Sequence, residues 1–277
     1  MGNIVMRENM LKPDNFFDLK GHKFEKLFEN VEYVFDGLKN LKNYIKSNLY
    51  PNVSKIRNGK SFIEKDFIIY EGEVFETGFI IDSKNSKVTM DGKILDGASI
   101  IYAGASLMDD EIYIGKGNVI ESGALIKGPC IIHNDNQIRQ GAYIRGNVLI
   151  GDKCVVGHAT EIKSSVLLGE SIAAHFAYVG DSILGKVNLG AGTKLANLKI
   201  FGTNIVLTID GLKIETGLRK FGAILSDGVE TGCNSVTDPG TIFGKNTLLY
   251  PNSTAKGFYP SDMIIKLMQD QKIEKRK

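Results

Sequence analysis

Tryptophan is absent from the 277 residues, and only three cysteines and six prolines occur. The cysteines are odd in number and far apart, which argues against a disulfide framework. No Cys-x-x-Cys occurs, so a structural zinc of the thiolate type is not expected. Cys130 and Cys154 read as buried free thiols. No run of 18 apolar residues and no apolar N-terminal signal segment is present, so no membrane partner is expected, and a soluble, reduced, cytoplasmic protein is. Met1-Gly2 is not followed by Ser or Thr at position 6, so myristoylation is not indicated. A charge excess is missing too. The net charge is +2, which gives no argument for a nucleic-acid partner. The first 55 residues hold no Gly-rich phosphate loop and leave no room for a nucleotidyltransferase-like α/β domain.

What is present is a six-residue period. Ile114, Ile120, Ile126, Ile132, Ile138, Ile144, Ile150, Val156, Ile162 and Leu168 follow one another at that spacing. All ten are large aliphatics, eight of them isoleucine. Glycine follows at Gly115, Gly151, Gly157 and Gly169, and a small residue often stands four places on, as at Ala124, Cys130, Ala142, Cys154 and Thr160. Neither a helix (period 3.6) nor a lone strand (period 2) produces this. A strict period of six marks a hexapeptide β-helix, an all-β solenoid of parallel strands. All ten aliphatics are expected to point inward, with glycine taking the awkward backbone angles.

Around this core the chain divides into three. Residues 1–55 do not repeat and read as a small helical cap on the solenoid end or on a partner subunit. Val34, Leu38, Leu41, Ile45 and Leu49 keep helical spacing up to Pro51, and Phe16, Phe17, Phe24, Leu27 and Phe28 suggest a shorter helix before it. Residues 56–255 form the β-helix, with the first degenerate coils placed between 56 and 113. A hairpin is extruded near 203–221, where alternating apolar residues flank Asp210-Gly211. Residues 256–277 read as a C-terminal helix begun by Pro260-Ser261-Asp262, then a charged tail. After Leu168 the period fails, and it resumes at Ile183, Leu189, Leu195 and Phe201. The interruption holds residues 173–181, and function is sought where packing no longer sets the spacing.

Arg145 and Lys163 each follow an inward isoleucine and are 18 residues apart. If three hexads make one coil, the two cations stack on one face. They repel unless an anion lies between them, and a phosphate is a natural guest. Two solvated surface cations are the plainer alternative. His175 is either an ordinary loop histidine or a base that deprotonates an attacking ammonium, since imidazole titrates near neutral pH. Glu161 would then orient or charge-balance it.

The stretch His175-Phe-Ala-Tyr178-Val-Gly180-Asp181, then Val187-Asn188-Leu-Gly190-Ala191-Gly192-Thr193, then Ala196-Asn197 resembles the acetyltransferase half of bifunctional N-acetylglucosamine-1-phosphate uridylyltransferase/glucosamine-1-phosphate N-acetyltransferase, a hexapeptide-repeat acyltransferase, in a stand-alone form. The resemblance implies a left-handed β-helix, an exception to the usual crossover hand, with sites shared in a homotrimer. It implies acetyl transfer from acetyl-CoA to the amine of an amino-sugar 1-phosphate, with no metal required; the uridylyltransferase half is absent from this sequence, so that activity is not expected. His175 matches the catalytic base and Glu161 the carboxylate near it. Arg145, Lys163 and Tyr178 match sugar-phosphate contacts, and Asn188 and Asn197 match residues placing sugar and acyl donor. On the acetyl-CoA side it points to Asn197, Cys233, Pro251 and Lys256, with Cys233 and Pro251 departing from the small polar or small residue of the family.

Two alternatives stand beside this. One is a non-catalytic sugar-phosphate or nucleotide-sugar binding or assembly module. The other is a three-histidine zinc site of the γ-carbonic-anhydrase kind. His133, His158 and His175 are spaced 25 and 17, neither a multiple of six, and are not expected to share a register position.

Overall fold

The computed structural model describes residues 9–276. Residues 1–8 of the expected cap and Lys277 of the expected tail lie outside the described residues. The chain is a parallel β-solenoid of about nine turns with few helices, matching a left-handed β-helix. Each turn visits three faces in order. Face one begins with Ser99–Ile101, face two with Ser106–Leu107 and face three with Ile112–Ile114. Successive turns stack in parallel register: Ile126 lies beside Ile144 and Ile144 beside Ile162. The prism core is filled by Ile114, Ile120, Ile126, Ile132, Ile138, Ile144, Ile150, Val156 and Ile162, nearly all wholly buried.

The tenth member of the series departs. Leu167, not Leu168, pairs with Ile150 and enters the prism, and Leu168 packs outside, toward the N-terminal segment. The turn between Ile162 and Leu167 is one residue short. Two more short turns carry the inward position from Val179 to Leu184 and then to Leu189. The interruption is therefore three single-residue deletions, and Ala173 and Val179 within it still face inward. Ile183 faces outward, and Phe201 is almost fully exposed rather than resuming the period.

The glycines after the inward aliphatics have a different reason from the one expected. Gly115, Gly151 and Gly157 do not have positive φ. A Cβ on Gly157 would sit inside the carbonyl oxygen of Ala174 on the next rung, and one on Gly151 inside that of Leu168. These positions exclude a side chain because the stacked backbone is too close. Left-handed backbone occurs two residues later, at Gly117, Lys153 and Ala159.

The N-terminal segment does not sit on the solenoid end. One α-helix, Asp36–Asn48, and the 3-10 turns Pro13–Asn15 and Glu25–Phe28 lie along face three. The expected shorter helix is only the second of these turns. Phe16, Phe17, Phe24, Leu27 and Phe35 bury themselves against an outward apolar column: Ile131, Leu149, Val166, Ile183, Ile224 and Ile242. The hairpin leaves its corner and folds back onto the same face. Val206–Ile209 pairs antiparallel with Leu212–Glu215, with Asp210 and Gly211 both at positive φ. Its Ile205, Leu207, Ile209 and Ile214 join the cap cluster.

Val53, Ile56 and Ile63 plug the N-terminal end of the prism. Between 56 and 98 there are no coils. Phe67–Tyr70 and Glu73–Phe75 form an antiparallel pair, and Phe79–Asp82, Lys87–Met90 and Lys93–Ile94 a small meander. Antiparallel pairing needs only a tight turn, whereas a parallel coil needs a full circuit. Among the described residues the C-terminal helix is also absent. Ile264–Ile265 is a strand paired with Leu248–Leu249, and Ile265 packs on the prism core. Asp262 takes a left-handed turn conformation there, and the residues before it supply one more hexad rather than an N-cap.

Candidate acyl-transfer site

Face two presents two outward columns. One reads Leu125, Tyr143, Glu161, Tyr178 and Lys194. The other reads Lys127, Arg145, Lys163 and Gly180, since each follows an inward residue on successive rungs. Arg145 and Lys163 therefore stack one above the other, about 4.8 Å apart at the backbone.

Neither cation lacks a counter-charge. Arg145 Nη1 donates to Glu161 Oε1 at 2.6 Å, and its guanidinium lies over the Tyr143 ring at 5.7 Å from the centroid. The hydrogen bond to Glu161 raises the Arg145 pKa. Lys163 Nζ lies 3.5 Å from Asp181 Oδ2. Asn197 Nδ2 donates to the same carboxylate oxygen at 2.5 Å. Burial raises the Tyr178 pKa, helped by Glu161 and Asp181 and opposed by a hydrogen bond from Asn197. Its hydroxyl stays protonated and available as a donor. The cluster closes over Gly180, where a Cβ would meet the Tyr178 hydroxyl at 2.5 Å and Asn197 Nδ2 at 2.8 Å.

Asp181 is the member that sequence reasoning quoted in a motif but gave no role. Its position directly after Gly180, one rung above Lys163, was the available signal. Glu161 pairs with Arg145, and among the described residues no hydrogen bond or ion pair joins it to His175. The column beside Arg145 places a carboxylate within reach of the guanidinium, while His175 sits at the end of another strand.

His175 ends Ile172–His175, on the edge between faces one and two. Backbone hydrogen bonds define that edge rung by rung. Phe176 N donates to His158 O, Gly192 N to His175 O, Asn234 N to Ala191 O and Asn252 N to Cys233 O. His158, His175, Ala191, Cys233 and Pro251 therefore line one edge, and all but Ala191 are exposed. His158 and His175 are direct partners, contrary to expectation, because the short turn makes their coil 17 residues long. The imidazole of His175 makes no hydrogen bond or ion pair among the described residues and contacts the Phe176 ring at 6.3 Å. His133 lies elsewhere, 5.1 Å from Phe24 of the cap. Among the described residues, no group of three or more His, Cys, Asp or Glu side chains is placed to hold a metal ion.

The remaining candidates divide between faces. Lys256 continues the cation column two rungs beyond Ala196, after Asp238. Asn188 is exposed on face one, between Ile172 and Glu230, and does not join the face-two cluster within one chain. Cys130 and Cys154 are buried free thiols, and burial pushes Cys154 up to about 11. Cys233 is exposed. A separate cleft between the cap and the prism is lined by His22, Lys23, Asp152, Glu170 and Lys186, on the face-three side of the same turns rather than on face two. No described helix is long and apolar enough to cross a membrane.

Residues 126–216 match the GMPPB C-terminal domain. Over 80 residues the chain is 39% identical to a bifunctional sugar-1-phosphate nucleotidylyltransferase/acetyltransferase of Sulfurisphaera tokodaii, covering 28% of this chain and 20% of that one. Over 79 residues it is 40% identical to the bifunctional protein GlmU of Methanococcus vannielii, covering 28% and 19%. The chain thus spans about a fifth of the length of these relatives. Among solved structures, PerB from Caulobacter crescentus in complex with CoA and GDP-perosamine aligns at 17% identity and a TM-score of 0.18, over 57% of this chain and 54% of that one. The polysialic acid O-acetyltransferase OatWY aligns at 13% and 0.23, over 58% and 93%. The chain is a hexapeptide-repeat β-helix protein whose residues 126–216 are similar to the GMPPB C-terminal domain and which resembles part of the bifunctional sugar-1-phosphate nucleotidylyltransferase/acetyltransferases.

Proposed function

We propose that this chain is an N-acetyltransferase that moves an acetyl group from acetyl-CoA to the amine of an amino-sugar 1-phosphate. The observation that carries the reading is the face-two cluster beside the His175 edge. Arg145 and Lys163 stack within hydrogen-bonding range of Glu161 and Asp181, with Tyr178 and Asn197 closing over Gly180. Arg145 has five N–H donors in a planar fork, so engagement with Glu161 leaves others free for phosphate. Lys163 supplies a point charge, and Tyr178 a neutral donor.

Acetyl-CoA would lie along the edge marked by His175, Ala191, Cys233 and Pro251, with Asn197 and Lys256 on the adjoining face. The amine loses a proton to the imidazole of His175 and attacks the thioester carbonyl, and CoA leaves as its thiol once a proton reaches the sulfur. The imidazolium of His175 returns the amine's proton to the leaving sulfur, so the proton taken from the amine ends on CoA and the imidazole is regenerated. A homotrimer fits this arrangement. Ile172, Phe176 and Tyr250 expose apolar surface on face one and its edge, and a neighbouring copy would bring a second Asn188 toward the cations.

One observation favours the binding-module reading instead: no described side chain orients the His175 imidazole. Acetyl-CoA consumption with glucosamine 1-phosphate separates the two. Catalysis by the wild type, with His175→Ala lowering turnover roughly 10²–10⁴-fold at unchanged acceptor affinity, supports acetyl transfer. Acceptor binding without turnover, weakened about 10-fold or more by Arg145→Ala, supports a binding module.

A further inference from the structure

The corner between faces one and two takes a left-handed backbone on rung after rung. Gly123, Gly141, Ala159 and Gly192 all have positive φ there, and Asn234 and Asn252 follow farther up. These are residues that tolerate the conformation. Phe176 stands at the same corner with φ of 53°, directly after His175. Among the described residues, no other aromatic and no aliphatic larger than alanine has positive φ. Burial does not offset this strain, since the side chain is 55% exposed. A strained residue beside a functional group is a reason to look for its part in that function.

The Phe176 ring touches two imidazoles. It meets His175 at 6.3 Å between centroids, tilted by 40°, and His158 edge-on at 5.4 Å and 82°. Both separations lie in the range of attractive ring contacts. His158 is itself fixed. Its Nδ1 lies 2.9 Å from Gln140 O, and a carbonyl can only accept, so Nδ1 carries the proton. Gly141 leaves room for that ring, since a Cβ there would meet His158 Nδ1 at 3.3 Å. A train of contacts thus runs from the Gln140 backbone through His158 and Phe176 to His175. We propose that Phe176 is a positioning residue that holds the His175 imidazole for its proton transfer, with His158 as the anchor behind it. This rests on the acetyl-transfer reading above and supplies what that reading lacks, because no hydrogen bond orients the His175 ring among the described residues.

The test is steady-state acetyl transfer from acetyl-CoA to glucosamine 1-phosphate by the full chain, with sedimentation and side-chain proton NMR on the same samples. Wild type, Phe176→Gly, Phe176→Tyr and His175→Ala are compared, the last also assigning the His175 resonances. Glycine suits the left-handed corner, so Phe176→Gly is expected to fold. Its kcat falls about 10-fold, because a base held less firmly is misaligned more often. KM for glucosamine 1-phosphate is unchanged, and the ring-current shift of the His175 protons disappears. Phe176→Tyr keeps both the rate and the shift. A wild-type kcat in Phe176→Gly, a loss carried by KM instead, or a His175 shift that persists overturns the proposal. So does a loss of rate that accompanies a change in the sedimenting species, which assigns the ring to an interface between copies. If His175→Ala loses turnover while Phe176→Gly does not, the acetyl-transfer reading stands without the proposal. If the wild type shows no turnover, reading and proposal fall together.

Discussion

Gly180 shows how far a single side chain governs this site. The Tyr178 hydroxyl and the Asn197 amide both occupy space that a methyl group would take. Both are ends of flexible side chains, so an added Cβ displaces them without breaking the backbone. Gly180→Ala should therefore leave the melting temperature nearly unchanged while raising KM for the amino-sugar phosphate by roughly 10-fold, because small misplacements of positioning groups are costly. Unaltered kinetics in a folded variant would remove Tyr178 and Asn197 from the acceptor site. At this scale the sequence was legible where one residue type has one reason to recur. Nine of the ten periodic aliphatics fill the prism. It was less legible where two residues compete for one place. Leu167 and Leu168 are adjacent leucines, and only the stacked backbone shows which is inside. Ion-pair choice was hidden as well, since spacing alone does not say whether Glu161 meets Arg145 or His175.

The individual coil depends on close backbone stacking. Gly157 lies under the carbonyl of Ala174, with backbone rather than a mobile side chain in the way. Gly157→Ala must push two rungs apart, and a loss of about 1–3 kcal/mol is expected, the usual cost of overpacking. Urea unfolding measures it, and an unchanged midpoint would show that the rungs separate more easily than described. Elements announced by local chemistry were readable, as with Asp210-Gly211 at the tip of the hairpin. Elements that depend on a distant partner were not. Ile264 and Ile265 have a helical look beside Met268, yet they form a strand because Leu248–Leu249 offers an open rung. The antiparallel strands of 67–94 were mistaken for coils for the same reason: both need short β-rich segments.

The whole molecule is held by the joint between cap and prism, and that joint is sensitive to acid. His133 is packed against Phe24 and Tyr113, and burial pushes its pKa down from 6.5 to about 4. His22 is lowered too, first by burial, and its Nδ1 accepts a hydrogen bond from Phe24 N at 3.1 Å. Lys23 and Asp152 face the same joint, paired at 2.5 Å. A depressed pKa means that the unfolded chain binds protons more readily. The contribution of His133 is therefore complete above pH 6.5 and is lost as pH falls toward 4. Thermal midpoints should decline across that window, and His133→Phe should flatten the decline. Parallel declines in both proteins would place the acid sensitivity elsewhere.

That joint also changes how the solenoid comes apart. A ladder of repeats touches only its neighbours and normally unzips from either end. Here one cluster of cap and hairpin side chains grips the outward column from Ile131 to Ile242 on six successive rungs, with Tyr113 and Phe258 packed at its margins. The cap acts as a brace bolted along one rail. Rungs that would otherwise melt in turn are tied to a common support, so none can leave without straining the others. Drawn out from its C-terminus, the chain yields Ile264–Ile265 and the rung below, then meets the brace, and the remainder gives way in one event.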